Sequence, residues 1–221
     1  MDILTAISNR HSVRAYKDIP LTDEHKTELI KEAERLSNLG GVSLILVTDE
    51  PRAFTCPLSS YGKFKCVKNY LVLIRKKTDG NEKLGYYGEK FVLKAQSLGV
   101  NSCWVALTYS KTAIPVKPKK DEKIVGVIAL GYGETQGVAH KGKPLSSLFE
   151  SDTDIIPEWF MSGVISAEKA PTAVNQQRFV FTYKNGTAKA YKKAGFYTEL
   201  DLGIVKCHFE IGANKDGLFG L

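Results

Sequence analysis

Two stretches of this chain are built alike, and together they limit how it can fold. Leu84-Gly-Tyr-Tyr-Gly-Glu leads into an apolar-patterned run that stops at Gly99, and Gly195-Phe-Tyr-Thr-Glu leads into another that stops at Gly212. In the first, Leu84, Tyr87, Phe91, Ala95 and Leu98 recur at helical spacing and predict a helix over 83–98 with a glycine cap. In the second, Leu200, Ile204, Cys207 and Ile211 fall in line and predict a helix over 198–213. Each follows a strand, and before that a helix. A diverged internal duplication gives such a pattern; so does any α+β chain with two similar helices, and the residues leave both open.

The remaining signals are consistent with a mixed fold. Residues 2–8 read as a short helix, and Thr22 caps a second that runs to about Ser37 and ends before Gly40-Gly41. Apolar, β-branched runs at 42–47, 69–74 and 124–130 read as buried strands. A helix is expected over 156–167, then a hairpin of 179–183 and 187–191 about Asn185-Gly186, the sharpest turn signal in the chain. The polar stretch from Glu134 to Lys143 reads as a linker.

Composition removes several classes. The chain has 221 residues, enough for one generous domain or two small ones. No run approaches the roughly 20 apolar residues of a membrane span. The start, Met1-Asp2-Ile3-Leu4, lacks the order of a signal peptide, so a cytoplasmic protein is expected. Cys56, Cys66, Cys103 and Cys207 have no zinc-type spacing and are too sparse for a disulfide framework. Cys207 and the adjacent His208 would point to different faces of a helix and are poorly placed to share a metal. The net charge of +7 is spread along the chain, its densest cluster being Lys117-Pro118-Lys119-Lys120. Without a basic stripe or a recognisable module, nucleic acid is not the expected partner. An anionic cofactor suits the charge better.

Four segments carry chemistry. Arg10-His11-Ser12-Val13-Arg14 sets two guanidinium groups and a hydroxyl at a helix exit, a donor set for phosphate or ordinary surface charge. Gly99-Val-Asn-Ser-Cys-Trp104-Val105-Ala106-Leu107 is a small-residue turn after a helix that lets backbone approach a flat ring; equally, Trp104 is a core aromatic starting a strand. His140-Lys141-Gly142-Lys143 is a basic loop. Ala170-Pro171-Thr172-Ala173-Val174-Asn175-Gln176-Gln177 offers amides to the edge of a polar heterocycle, or caps its own turn.

In this order the segments resemble those of the nitroreductase family: an Arg-x-Ser-x-Arg/Lys start, a Gly-x-x-x-Cys-Trp turn after a long helix, a strand ending in Leu-Gly-Tyr, then basic residues. One departure is informative. The family's Ala-Pro-Ser-x-x-Asn-x-Gln motif follows its second helix, where this chain has only Leu39-Gly40-Gly41, and the matching residues come instead at 170–177. The resemblance implies an α+β, nitroreductase-like fold of mostly antiparallel sheets flanked by helices around two long central helices. Family members are intertwined homodimers that share their flavin sites. Here residues 1–148 resemble one nearly complete subunit, and 149–221 a diverged second half that supplies the Pro-Thr-Ala-x-Asn loop. The expectation is a monomeric pseudo-dimer with one FMN per chain.

Carried over by position, Arg10, His11 and Ser12 meet the phosphate and ribityl chain, and Arg14 the N1–C2 carbonyl side of the ring. Trp104, Val105, Ala106 and Leu107 lie along the ring. Pro171, Thr172, Ala173 and Asn175 close the site from the second half, while Lys141 and Lys143 complete phosphate neutralisation. The implied reaction is a ping-pong exchange from NAD(P)H to a small electron-poor acceptor such as a nitroaromatic or quinone, with no side chain as general acid or base. A flavin-binding sensor or storage protein is the alternative. Tyr61, Phe64 and Trp159 are candidates for the acceptor pocket.

Overall fold

Both helices form where periodicity places them, in a computed structural model that describes residues 1–139 and 141–221. The first stops before Gly99, whereas Gly212 lies inside the second, which ends instead at Asn214 in the left-handed conformation. His140 lies outside the described residues. In chain order the elements are α1 (Ile3–Asn9), α2 (Asp23–Gly40), β1 (Ser43–Val47), α3 (Pro57–Tyr61), β2 (Asn69–Lys76), α4 (Glu82–Ser97), β3 (Asn101–Val105), β4 (Glu122–Gly131), β5 (Phe149–Ser151), α5 (Glu158–Glu168), β6 (Phe179–Lys184), β7 (Thr187–Lys192) and α6 (Thr198–Ala213). The first four strands make one antiparallel sheet, ordered β1-β2-β4-β3. A second sheet, β5-β6-β7, joins a parallel pair to the expected hairpin. Asn185 and Gly186 both take positive φ, at 51° and 73°, as a type I′ turn requires.

Alternation along the strands divides the core. Leu71, Leu73, Ile128 and Leu130 face α2 and α4, while Tyr70, Val72, Val127 and Ala129 face the opposite side with Phe54 and Tyr109. A third cluster fills the space between the second sheet, α5 and α6 around Phe160, Phe181 and Phe209. Trp104 packs against both the first and the third. Capping sets two helix starts: Thr22 accepts from His25 N as expected, and Asp2, which the sequence reading placed inside the first helix, caps it by accepting from Thr5 N.

Helices α4 and α6 are buried around nearly their whole circumference and pack directly on each other. Their backbones touch at two glycines. A Cβ on Gly85 would strike the carbonyl oxygen of Leu200 and stand 3.2 Å from Ile204 N. A Cβ on Gly203 would strike the carbonyl oxygen of Glu82 and stand 2.7 Å from Tyr86 N. The contact is reciprocal: each glycine meets the residue three before, and the residue one after, the other glycine. Among the described residues, no helix is long and apolar enough to cross a membrane. All four cysteines are free.

Two elements differ from expectation. Residues 101–105 form a strand where a turn was one of two readings, because they pair in register with 127–131 on β4. The short strand β5 and the helix α3 carry too few residues for periodicity to mark them.

Candidate functional site

The site begins where α1 ends. After Asn9 the chain leaves the helix at Arg10 and runs extended beside β3, with Ser12 bridged in parallel to Ser102 and Val13 N donating to Ser102 O at 3.0 Å. In extended backbone alternate side chains point to opposite sides. Val13 is thereby buried, while Ser12 stays half-buried and Arg14 exposed. Tyr16 locks this course, its hydroxyl donating to Val13 O at 2.6 Å and to Ala129 O at 3.2 Å. The 133–139 stretch closes over the segment, since His11 Nδ1 bonds Gln136 O at 3.2 Å and Asn101 Nδ2 donates to Gln136 Oε1 at 3.0 Å.

From the other side comes the 170–177 loop, whose shape is set by α6. Asp201 accepts from Ala173 N at 3.0 Å and from Gln176 Nε2 at 2.9 Å, both onto one carboxylate. Burial pushes the Asp201 carboxyl up to about 6, against the pull of the Gln176 and Ala173 hydrogen bonds. Thr172 Oγ1 accepts from Gln177 N, which is the turn-capping role. Gln177 is buried and spans Glu168 O and Lys143 N. Held this way, the loop puts Val174 at φ 45° and Asn175 at φ 55°; the former is a left-handed conformation that a β-branched residue rarely adopts.

Between the two lies a cleft of ≈ 390 Å³, lined by Arg10, His11, Ser12 and Arg14 on one side and by Pro171, Thr172, Val174 and Asn175 on the other. Gly137 and Val138 complete the wall. Seven of the expected site residues thus meet at one place, although about 160 positions separate Arg10 from Pro171 along the chain. The other seven do not line it. Trp104 and Val105 sit on β3, the indole turned toward Gly88 with its Nε1 donating to Glu89 at 2.8 Å. Ala106 and Leu107 follow the strand, Leu107 being exposed. Ala173 contributes its N–H to Asp201. Lys141 accepts from Asn175 Nδ2 through its carbonyl at 3.1 Å, and Lys143 Nζ donates to Gln176 O and Gln177 O. Tyr61, Phe64 and Trp159 lie elsewhere: Tyr61 is exposed, Phe64 packs on Phe54, and Trp159 joins the third core cluster.

The electrostatics favour an anion. Arg10 is 5% exposed, and burial holds its guanidinium below the ordinary arginine range while Glu89 opposes that shift. Its Nη2 donates to Lys169 O at 3.2 Å, and its Nε has no hydrogen-bond partner among the described residues. Arg14 has no ion pair among the described residues. Burial pushes the neighbouring Cys103 thiol up, against Arg14, Ser12 and Arg10. Among the described residues, no group of His, Cys, Asp and Glu is placed to hold a metal ion.

Sequence reasoning missed Gly137 and Val138, which a polar linker reading hid. It also missed Glu89, and it weighed His208 only for a metal shared with Cys207. Their signal was faint: Glu89 and His208 are two among several ionisable residues in these helices, and only burial sets them apart.

A family model described as "Putative TM nitroreductase" matches residues 2–213. Among solved structures, a "putative nitroreductase" from Thermotoga maritima MSB8 is 21% identical with a TM-score of 0.67, the match covering 96% of this chain and 83% of that one. A "putative nitroreductase in complex with FMN" from Desulfovibrio desulfuricans is 16% identical with a TM-score of 0.51, over 66% of this chain and 94% of that one. A "Putative NADH dehydrogenase/NAD(P)H nitroreductase" from Parabacteroides distasonis is 19% identical with a TM-score of 0.50, over 66% and 95%. At these identities the likeness concerns the fold. A search of curated proteins finds no match.

Proposed function

The chain belongs to the nitroreductase family, and from that premise we propose that it is an FMN-dependent oxidoreductase passing reducing equivalents from NAD(P)H to an electron-poor acceptor such as a nitroaromatic or quinone. The observation that carries this reading is the cleft itself, where Arg10, His11, Ser12 and Arg14 meet Pro171, Thr172 and Asn175. Its volume falls in the ~300–1,000 Å³ range of cofactor pockets. Bound FMN supplies hydride chemistry, and the protein supplies orientation and charge.

The residues fit that group. Two guanidinium groups and the Ser12 hydroxyl form a donor set for a phosphate and polyol chain. Pro171, Val174 and Val138 give apolar walls suited to a flat ring. Lys141 and Lys143 stand beside Asn175 and Gln177, adding positive charge next to the cleft.

One flavin per monomeric chain belongs to the proposal. The two walls come from the two halves of the sequence, so the cleft needs no second copy. The reciprocal Gly85–Gly203 contact is the geometry of an isologous dimer interface drawn inside one chain, which supports reading 1–148 and 149–221 as a fused pseudo-dimer. That two shorter relatives are matched almost whole by two-thirds of this chain agrees with it.

Purified protein should bind one FMN per chain and elute as a monomer. Under anaerobic conditions its flavin band should bleach on titration with NADH or NADPH and return with a quinone. Protein that gains no flavin band when FMN is supplied would falsify the proposal. A bound flavin that neither nicotinamide bleaches would instead identify a sensor or storage protein.

A further inference from the structure

Behind the cleft, Arg10 opens onto a chain of buried polar groups that the site as described does not use. Arg10 Nε stands 3.8 Å from Glu89 Oε1. That same oxygen meets His208 Nε2 at 2.8 Å, and Glu89 Oε2 accepts from Trp104 Nε1 at 2.8 Å. His208 Nδ1 meets the backbone carbonyl of Ser166 at 3.1 Å. Glu89 and His208 are both fully buried. The line therefore runs from the cleft through α1, α4 and α6 to α5.

Proton counting narrows the state of this line to two. The Ser166 carbonyl can only accept, so Nδ1 carries a hydrogen. The Nε2–Oε1 contact then needs a proton too; without one, two lone pairs would face each other. It rests on the ring or on the carboxyl. The indole N–H and the guanidinium, both turned toward Glu89, favour the carboxylate, and hence an imidazolium at His208. Stability alone accounts poorly for the arrangement, because buried ion pairs are often matched or bettered by apolar residues of the same volume.

We propose that Glu89 and His208 are a positioning pair for Arg10: an imidazolium–carboxylate couple that fixes the guanidinium at the wall of the cleft and so sets affinity for the phosphate-bearing ligand. The ligand class rests on the FMN reading above; the pair itself does not. His208 holds the Glu89 carboxylate in place, and the carboxylate draws the guanidinium from behind. Neither residue touches the cleft.

Glu89→Gln tests this with little change of shape. Its amide carbonyl can accept from Trp104, and its NH₂ can donate to a neutral His208 ring, so the hydrogen bonds remain while the ion pair and its attraction on Arg10 are lost. FMN affinity, read by quenching of flavin fluorescence, should weaken by about tenfold, the lower end of what losing an outer-shell partner costs a metal site. His208→Gln should weaken it in the same direction. An independent reading uses wild-type protein labelled with ¹⁵N-histidine. From the two contacts of its ring, His208 should show two ring N–H signals, and one in Glu89→Gln. Unchanged FMN affinity in a folded Glu89→Gln variant overturns the positioning role. A single N–H signal in the wild type overturns the ion pair, whether or not the variants fold. Two signals in a protein that binds no FMN leave the pair standing and overturn the FMN reading, and with it the ligand assigned to Arg10.

Discussion

Replacing Gly203 by alanine should unfold the protein more easily by an amount the helix contact sets. The added Cβ would lie against the Glu82 carbonyl, 2.9 Å from its carbon and 2.7 Å from Tyr86 N. Apolar contact needs about 3.5 Å, and the obstructing atoms are backbone with the Glu82 carbonyl oxygen nearest, so α4 and α6 must part by about 1.5 Å. Overpacking of this kind costs about 1–3 kcal/mol, and backbone obstruction puts the cost at the upper end. Alanine's better helix propensity offsets ~1 kcal/mol. A net loss of about 2 kcal/mol remains, or roughly 4–8 °C in Tm for a chain of this size. Gly85→Ala should cost about the same, because its contact is the mirror of the first. One separation relieves both, so the double variant should cost about 2–3 kcal/mol, short of the ~4 kcal/mol of independent sites. Urea denaturation of flavin-free protein, followed by far-UV circular dichroism and tryptophan fluorescence, measures all three. Either single variant within ~0.5 kcal/mol of wild type, or a fully additive double variant, would refute the shared-contact reasoning.

Further expectations concern the cleft and its supports. Because burial raises the Asp201 carboxyl to about 6, the folded state binds its proton more tightly than the unfolded state does. Stability should therefore fall as pH rises from about 4 to 6, by up to ~3 kcal/mol; denaturation midpoints of Asp201→Asn should lack that slope, and an identical slope would acquit Asp201. Val174→Gly should stabilise the protein by about 1 kcal/mol, since the side chain is 80% exposed and its φ is 45°; a lower Tm would show that no strain is stored there. Tyr86→Phe removes the hydroxyl that donates to Glu210, which keeps the N–H groups of Gly217 and Phe219. A loss of about 1–3 kcal/mol in chemical denaturation is expected, and a neutral change would mean that this bond adds nothing net. Arg10→Ala should weaken FMN binding more than Glu89→Gln does, in the same fluorescence titration.

Local chemistry alone determined much of this protein. The helices α2, α4 and α6 and the Asn185-Gly186 hairpin are legible because caps, periodicity and turn residues act over a few neighbouring positions. The Arg10–Arg14 and Pro171–Asn175 segments stood out for the same reason: their donors are written in adjacent residues. Only the tertiary structure decided that these segments face each other, because that depends on α5 and α6 folding back onto α1. It also decided what each side chain does there. Lys143 and Gln177 turn to backbone partners, Trp104 turns to Glu89, and Gly137 and Val138 become cleft wall. The two glycines of the helix contact, and the Glu89–His208 pair beneath Arg10, belong to the same class. Each is an ordinary residue in its own helix, and its role exists only once the other helix lies against it.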